Sequence, residues 1–577
     1  MSAIIRRRPV DLSTGRFSSS TPIILQRVLL GRGVTSEEAL DHQLARLHNP
    51  AAMRGVEAAV ALLVEAVQKQ QKILIVGDFD ADGATSSTLA VLALGALGAG
   101  PVDFLVPNRF EFGYGLTPEI VEVAREYEPD LLITVDNGIS SIDGVAAAKA
   151  AGLKVIVTDH HLPGSELPEA DAIVNPNQPG CAFPSKNLAG VGVIFYLLSR
   201  LRTALQQQGW FEESGIRAPN MAEYLDLVAL GTVADLVPLD HNNRVLVYQG
   251  IARIRAGRCR PGIDALMEVA GRDRARLSTT DIGFILGPRI NAAGRLDDIG
   301  TGIRCLLTED TEEARELASE LDGLNRDRKA IEAGMQREAM AALDKLQLGS
   351  GELPWSLCLY DGAWHQGVVG ILASRIKEKF HRPVIAFADG DNNLIKGSAR
   401  SIPGLHIRDA LSDVAATHPD LISKYGGHAM AAGLSLPAEN LEAFTRAFET
   451  AVRNRLSESQ LQAVIDSDGE LAPAEFSMQT AALLRDCAPW GQAFPEPQFD
   501  GEFLLLQQRI VGEKHLKMVV APAAEPQRAV DAIAFNIDTD VWPAQVDRVR
   551  LAFKLDINEF RGRQSLQLMV SHLEAVR

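Results

Sequence analysis

KILIVGDFDADG (72–83) decides how the rest of the chain is read. Ile73–Gly77 is aliphatic without alternation, the pattern of a strand buried on both faces. Asp78, Asp80 and Asp82 follow it, and Gly83 lets the chain turn into the helical ATSSTLAVLALGALG. Two further runs repeat the device: LLITV (131–135) ends in Asp136-Asn137-Gly138, and KVIVT (154–158) ends in Asp159-His160-His161. Their alternation with TPEIVEVAREY and IDGVAAAKAAG is βαβ order, which implies a parallel sheet with helices on both faces. In such a sheet ligands bind beyond the carboxyl ends of the strands. The acidic segments, with Ala234-Asp235, are therefore expected on one rim.

A lone aspartate after a strand reads as a helix N-cap. Three within five residues repel one another unless a cation compensates them. Adjacent imidazoles on an extended chain point to opposite sides, so one of His160 and His161 can ligate while the other faces substrate or orients a ligand. Oxygen and imidazole donors without thiolates suit Mn²⁺ or Mg²⁺ better than structural zinc. The pattern predicts a metal-dependent phosphoryl hydrolase. DxDG after a strand also opens the haloacid-dehalogenase phosphatases, but that mechanism has no use for DHH at a later strand end.

At 577 residues the chain is too long for one core, and 46% hydrophobic with 23% charged residues describes a globular protein. The net charge of -17 argues against a protein that coats nucleic acid, though not against a nuclease with a local basic track. No apolar stretch reaches membrane-spanning length, no signal core follows MSAIIRRRPV, and five scattered cysteines fit free thiols in a reducing cytoplasm. The expected organisation is a helical segment over 1–70, including TSEEALDHQLARL and GVEAAVALLVEAVQ, and a catalytic α/β domain over 71–307. A connecting helix over 308–348, a second α/β domain over 349–460 and a β-barrel of OB type over 466–577 complete it. In the barrel, Arg509, Lys514, Lys517, Phe560, Arg561 and Arg563 suit a stacking groove for single strands, or ordinary solvent-facing charge.

DFDADG, DNG, DHH and GTVADLVPL (231–239) stand in the order found in the DHH phosphoesterases, and the chain resembles that family. GPRINAAGRL (287–296), DGAWHQGVVGILASR (361–375), KGSARS (396–401) and GGHAMAAG (426–433) are similar to elements of its RecJ exonucleases, whose second domain is of DHHA1 type. The resemblance implies a two-metal site for Mn²⁺ or Mg²⁺ with Asp80, Asp82, Asp136, His160 and Asp235 as ligands, Asp136 bridging and Asp78 a further ligand. Asp159 and His161 would orient ligands or protonate the leaving oxygen. It also implies single-stranded DNA degraded 5′→3′ to 5′-mononucleotides, in recombination and repair. The setting would be the bacterial cytoplasm, with a helicase and a single-strand-DNA-binding protein as partners of a monomer.

A 5′ exonuclease must hold a terminal phosphate, for which bidentate arginine is well matched. Arg109, Arg295, Ser398 and Arg400 are the residues expected there, with His365, His428 and the backbone of Gly426 and Gly427. A passage between the two α/β domains that admits one strand would exclude a duplex. Two other readings stand beside this one: a DHH phosphodiesterase for short oligonucleotides or cyclic dinucleotides, and a non-catalytic clamp on single strands.

Overall fold

Residues 3–107, 115–350, 353–390, 393–512, 514–537, 542, 546–560 and 562–576 are described by a computed structural model, without the side chains at 342, 344–350 and 560. Arg109 and Arg561 lie outside the described residues, as does the side chain of Phe560. The chain divides into two units: Val10–Asn325 with Ala482–Glu496, and Met1–Pro9 with Arg326–Ala481 and Pro497–Arg577.

After β1 (Ile4–Arg7), which belongs to the second unit, the first unit carries β2 (Ile73–Gly77), β3 (Val102–Leu105), β4 (Leu131–Val135), β5 (Lys154–Thr158) and β6 (Ala172–Val174). They form an all-parallel sheet in the order β3-β2-β4-β5-β6. Leu74, Val76, Leu132, Val155 and Val157 pack one face against Ile120, Val121, Val145 and Ala148 of the flanking helices. The register sets the site: Gly77 is level with Val135, Val135 with Thr158, and Thr158 with Val174. The next residues, Asp78, Asp136, Asp159 and Asn175, therefore emerge side by side.

The helix Ala81–Ala96 is buried over almost its whole first three turns despite the run Thr85-Ser86-Ser87-Thr88. Three of those hydroxyls donate back to carbonyls one turn earlier: Thr85 to Ala81 at 2.9 Å, Ser87 to Gly83 and Thr88 to Ala84 at 2.8 Å each. Small, internally satisfied side chains let the helix start press on the strand end, where a Cβ on Gly83 would come 2.3 Å from Asp78 O.

In the second unit β7 (Leu357–Tyr360), β8 (Val384–Asp389), β9 (Leu394–Arg400), β10 (Lys424–Gly427) and β11 (Ala431–Pro437) make a mixed sheet, order β10-β11-β9-β8-β7. Phe387, Phe444 and Phe448 lie in its core. β12 (Val464–Ser467) pairs in parallel with β1. β13 (Phe499–Val511), β14 (His515–Pro522), β15 (Val530–Ala534), β16 (Arg548–Phe560) and β17 (Arg563–Val576) close a barrel around Phe499, Phe503 and Phe553. The connecting helix is Thr311–Ser350, its residues to Asn325 counted with the first unit and the rest with the second.

Two expectations are corrected. The 1–70 segment is not wholly helical: helices Ile23–Leu30 and Val56–Gln68 form, but Ile4–Arg7 is a strand and TSEEALDHQLARL makes only short 3₁₀ turns. There Asp41 stays extended and accepts the Gln43 N–H at 3.1 Å, a local bond that competes with helix. Ala482–Glu496, within the 466–577 span, is counted with the first unit. Trp490 stacks on Phe494 with 4.9 Å between centroids, and the guanidiniums of Arg32 and Arg244 lie over the pair at 5.3 and 4.3 Å.

The basic N-terminus has a structural use. Arg7 Nε and Nη2 donate to Asp500 at 3.0 and 2.8 Å, and Asp500 is 1% exposed. Arg7→Ala should cost about 1–3 kcal/mol, the range for a charge-assisted contact whose guanidinium is half in solvent. The measurement is the chemical-denaturation midpoint, and an unchanged midpoint would contradict the clasp.

Candidate metal centre and anion pocket

On the rim of the first unit, His160 Nε2 lies 3.1 Å from Asp136 Oδ1 and 3.4 Å from Asp235 Oδ2. Both carboxylate oxygens are buried, and neither meets a hydrogen-bond donor among the described residues. Ligand atoms fall into three overlapping sets, each within 4.8 Å: Asp136 with His160 and His161, Asp82 with His160 and Asp235, and Asp78 with Asp80 and Asp136. All six residues expected as ligands are thus brought together, and Asp136 is shared between two sets.

Backbone geometry makes this convergence possible. Asp136 adopts φ +62, a conformation that Asp tolerates better than most residues, and Gly138 follows at φ +110. Asp80 caps the helix Ala81–Ala96, one oxygen taking the N–H groups of Asp82 and Gly83 at 2.9 and 3.0 Å. Asp82 accepts from Gly190 at 2.6 Å and Val191 at 3.0 Å, at the positive start of the helix Gly190–Gln207. Asp78 Oδ1 accepts the Phe79 N–H at 2.8 Å.

Asp159 has a different task. Its Oδ1 accepts the N–H groups of His160 and His161 at 2.7 and 3.0 Å and pairs with His161 Nδ1 at 2.8 Å, while Oδ2 accepts the Ile139 N–H at 2.9 Å. It ties the DHH segment to the loop after β4 and aims the His161 ring. Burial works against charge on His161, but the Asp159 bond and the charges of Asp159, Asp78 and Asp80 push it up to about 9.

Several supporting residues carried no sequence signal on their own. Asn177 Nδ2 donates to His160 O at 2.6 Å and Asn175 Nδ2 to His161 O at 3.0 Å, holding both histidine backbones from the end of β6. Asn291 Oδ1 accepts the Ala81 N–H at 2.8 Å, and a Cβ on Gly294 would come 1.8 Å from Phe79 O. GPRINAAGRL thus lies directly against the DFDADG loop and brings half-buried Arg295 there. Gly190 and Gly231 are clearances: a Cβ would come 2.5 Å from Asp136 Cβ at the first and 2.8 Å from Asp82 Oδ1 at the second.

Burial, then repulsion between neighbouring carboxylates, pushes Asp78, Asp136 and Asp235 well above the ordinary range, and Asp82 up to about 7. Oxygens that lack donors, carboxylates that resist ionising together and an imidazole aimed among them fit divalent cations. The folded metal-free protein keeps protons that unfolded aspartates release near pH ~4, so its stability falls as pH rises from there toward 7. These carboxylates would exchange those protons for a bound Mn²⁺. Its addition should raise the melting temperature more at about pH 8 than at about pH 5.5. A shift that shrinks with rising pH would contradict the assignment.

The second unit holds the other expected residues. Arg400 Nη1 donates to Ser398 Oγ at 3.0 Å and to Ala399 O at 2.8 Å, and no carboxylate pairs with it among the described residues. Burial disfavours its charge. A Cβ on Gly370, near the start of the helix Val369–Phe380, would come 2.8 Å from Arg400 Nη2 and 2.9 Å from Ser398 Oγ. Across the sheet Ser398 is level with Gly433, and Gly433 with Gly426. A Cβ at Gly433 or Gly426 would meet nothing within 4 Å, so packing does not require these glycines and their backbone is open. Gly427 is a true turn residue: φ is +142, and a Cβ would come 2.5 Å from Ala431 O. His428 is exposed in that turn, and half-buried His365 accepts the Gly367 N–H at 3.1 Å through Nδ1. In the barrel Arg509 and Lys517 face each other across β13 and β14, and Lys517 lies 3.9 Å from Asp531.

The parallel sheet with its acidic and histidine rim defines a protein of the DHH class: the family model "DHH family, N-terminal domain" matches residues 72–232, and "DHHA1 domain" matches 356–454. "RecJ OB domain" matches 467–572. The single-stranded-DNA-specific exonuclease RecJ of Escherichia coli (strain K12) is 55% identical over 570 residues, 99% of this chain and 98% of that protein. The structure of RecJ from Thermus thermophilus in complex with Mn²⁺ is similar at TM-score 0.78, with 31% identity, covering 97% of this chain and 79% of that one. Its complex with Mg²⁺ gives TM-score 0.73 and 30% identity, over 98% and 76%. The chain belongs to the RecJ family of single-stranded-DNA-specific exonucleases.

Proposed function

We propose that this chain is a metal-dependent exonuclease that degrades single-stranded DNA 5′→3′ to 5′-mononucleotides in recombination and repair. The observation that carries it is the convergence of Asp136 Oδ1, Asp235 Oδ2 and His160 Nε2, two of them buried oxygens without donors. Two Mn²⁺ or Mg²⁺ ions would be held by Asp78, Asp80, Asp82, Asp136, His160 and Asp235. Bound there, they would stabilise charge on the phosphoryl oxygens and lower the pKa of a water. Asp159 fixes the His161 ring, whose positive charge would face the phosphate and whose proton could pass to the leaving oxygen. The RecJ relatives named above, one of them bound to Mn²⁺ and to Mg²⁺, support the substrate and the metals.

Polarity rests on the second unit. A half-buried guanidinium that pairs with no carboxylate among the described residues, a serine hydroxyl and open glycine backbone suit a terminal 5′-phosphate, with Ser398, Arg400, Gly426 and Gly427 as the recognising groups and His365 and His428 as further contacts. A bacterial cytoplasmic monomer working with a helicase and a single-strand-DNA-binding protein is the setting we infer. No described helix is long and apolar enough to cross a membrane. The test follows label released from single-stranded DNA tagged at either end, with Mn²⁺ and with chelator. Early metal-dependent release of 5′-labelled mononucleotide is expected. Early 3′ release would overturn the polarity, and binding without release would overturn the enzyme.

A further inference from the structure

Phe284 is 74% exposed, more than any other large apolar side chain among the described residues, and Leu236 is 64% exposed. Single exposed apolar residues need no explanation. The backbone segments that carry them meet at one oxygen. Val233 O accepts the Leu236 N–H at 3.3 Å, and a Cβ on Gly283 would lie 4.0 Å from the same oxygen. A Cβ on Gly287 would lie 3.0 Å from Ala234 Cβ. The π-helical turn Ile282–Leu286 is therefore seated on the end of the helix Leu225–Ala234 by its Gly283 and by Gly287 just after it, next to Asp235. π-turns interrupt helices mostly where function needs them. Leu236 itself has φ +60, a conformation that costs a bulky residue energy and persists only where its surroundings impose it.

We propose that Phe284 and Leu236 form an apolar ledge that takes the nucleobase adjoining the scissile phosphate, the base stacking on the phenyl ring. The inference rests on the reading of single-stranded DNA as substrate and deepens it. A phosphate held at Asp235 brings its own nucleoside to the residues that flank Asp235, and Leu236 is the next residue in the chain. Every base has a π-face, so such a ledge grips without reading sequence, as an exonuclease requires. Neither residue carries charge, so the ledge supplies base contact and leaves the phosphate to the cations.

The test uses the full chain with Mn²⁺ and compares an ordinary single strand with one whose 5′-terminal nucleotides are abasic. Phe284→Ala should raise KM for the ordinary strand by roughly 5- to 150-fold, the worth of one stacked base. Removing the bases should remove most of that difference, so the ratio between parent and variant falls toward one on the abasic strand. Phe284→Tyr should restore the ordinary-strand KM. An equal loss on both strands, or no loss on the ordinary strand, overturns the ledge as a base site, the latter leaving it to a protein partner. If the parent chain releases nothing from either strand with Mn²⁺, the substrate reading itself has failed.

Discussion

Asp136→Asn should lower metal-dependent hydrolysis of single-stranded DNA by more than about a thousand-fold, exceeding the loss of one preorganised donor. It should also leave the metal-free protein at least as heat-stable as the parent. Both halves follow from the geometry. Asp136 is 2% exposed at φ +62, and its Oδ1 has no donor among the described residues while lying 3.1 Å from His160 Nε2. Asparagine has the same shape and tolerates the left-handed backbone, so the fold loses nothing local. It cannot carry the anionic charge with which Asp136 would hold a divalent cation. It also removes one member of a group of buried carboxylates whose mutual repulsion pushes Asp136 well above its ordinary range. A carboxylate kept for structure would behave the opposite way, its loss lowering the melting temperature while sparing turnover. Activity and thermal melting on the same preparation, with and without Mn²⁺, decide between them. Turnover within tenfold of the parent would sink the metal assignment.

The trade between function and stability in that variant also explains which parts of the molecule the sequence discloses. Strands β2, β4 and β5 are legible because burial on both faces leaves continuous aliphatic runs, and their carboxyl ends are legible because repeated acidic residues there have no packing use. The barrel follows from its spaced strands. Asn175, Asn177 and Asn291 escape notice because one asparagine after a strand or within a helix reads as turn chemistry or surface. Only the register places Asn175 level with Asp159 and sends the Asn177 amide to His160 O. The glycines divide in the same way. Gly83 is readable as a turn into a helix, whereas Gly190 and Gly231 lie in buried helices where only their tertiary neighbours explain them, Asp136 at the first and Thr85, Asp82 and Val191 at the second. The N-terminal strand is illegible for a related reason: its partner, Val464–Ser467, is some 460 residues away in the chain, and Ile4–Arg7 has no pattern of its own.

Arg400→Gln should raise KM for a 5′-phosphorylated single strand by about 30-fold or more, which corresponds to about 2 kcal/mol, the lower end for removing one side of a desolvated charged contact. The same substitution should change KM for a 5′-hydroxyl strand far less, because that end offers no dianion to lose. The expectation comes from what surrounds the guanidinium. Its Nη1 is held by Ser398 Oγ and Ala399 O, neutral acceptors that fix direction without neutralising charge. Gly370 supplies the clearance that a side chain would close, since a Cβ there would come 2.8 Å from Nη2. Glutamine keeps a donor at this place but not the fork, and Arg400→Lys keeps the charge but not the fork. If both groups matter, lysine should fall between parent and glutamine. A half-buried arginine with a merely structural role would shift both substrates alike and lower the denaturation midpoint with them. Equal KM values for the two 5′ ends in the parent would remove the phosphate pocket, while the metal centre, tested through Asp136, would stand.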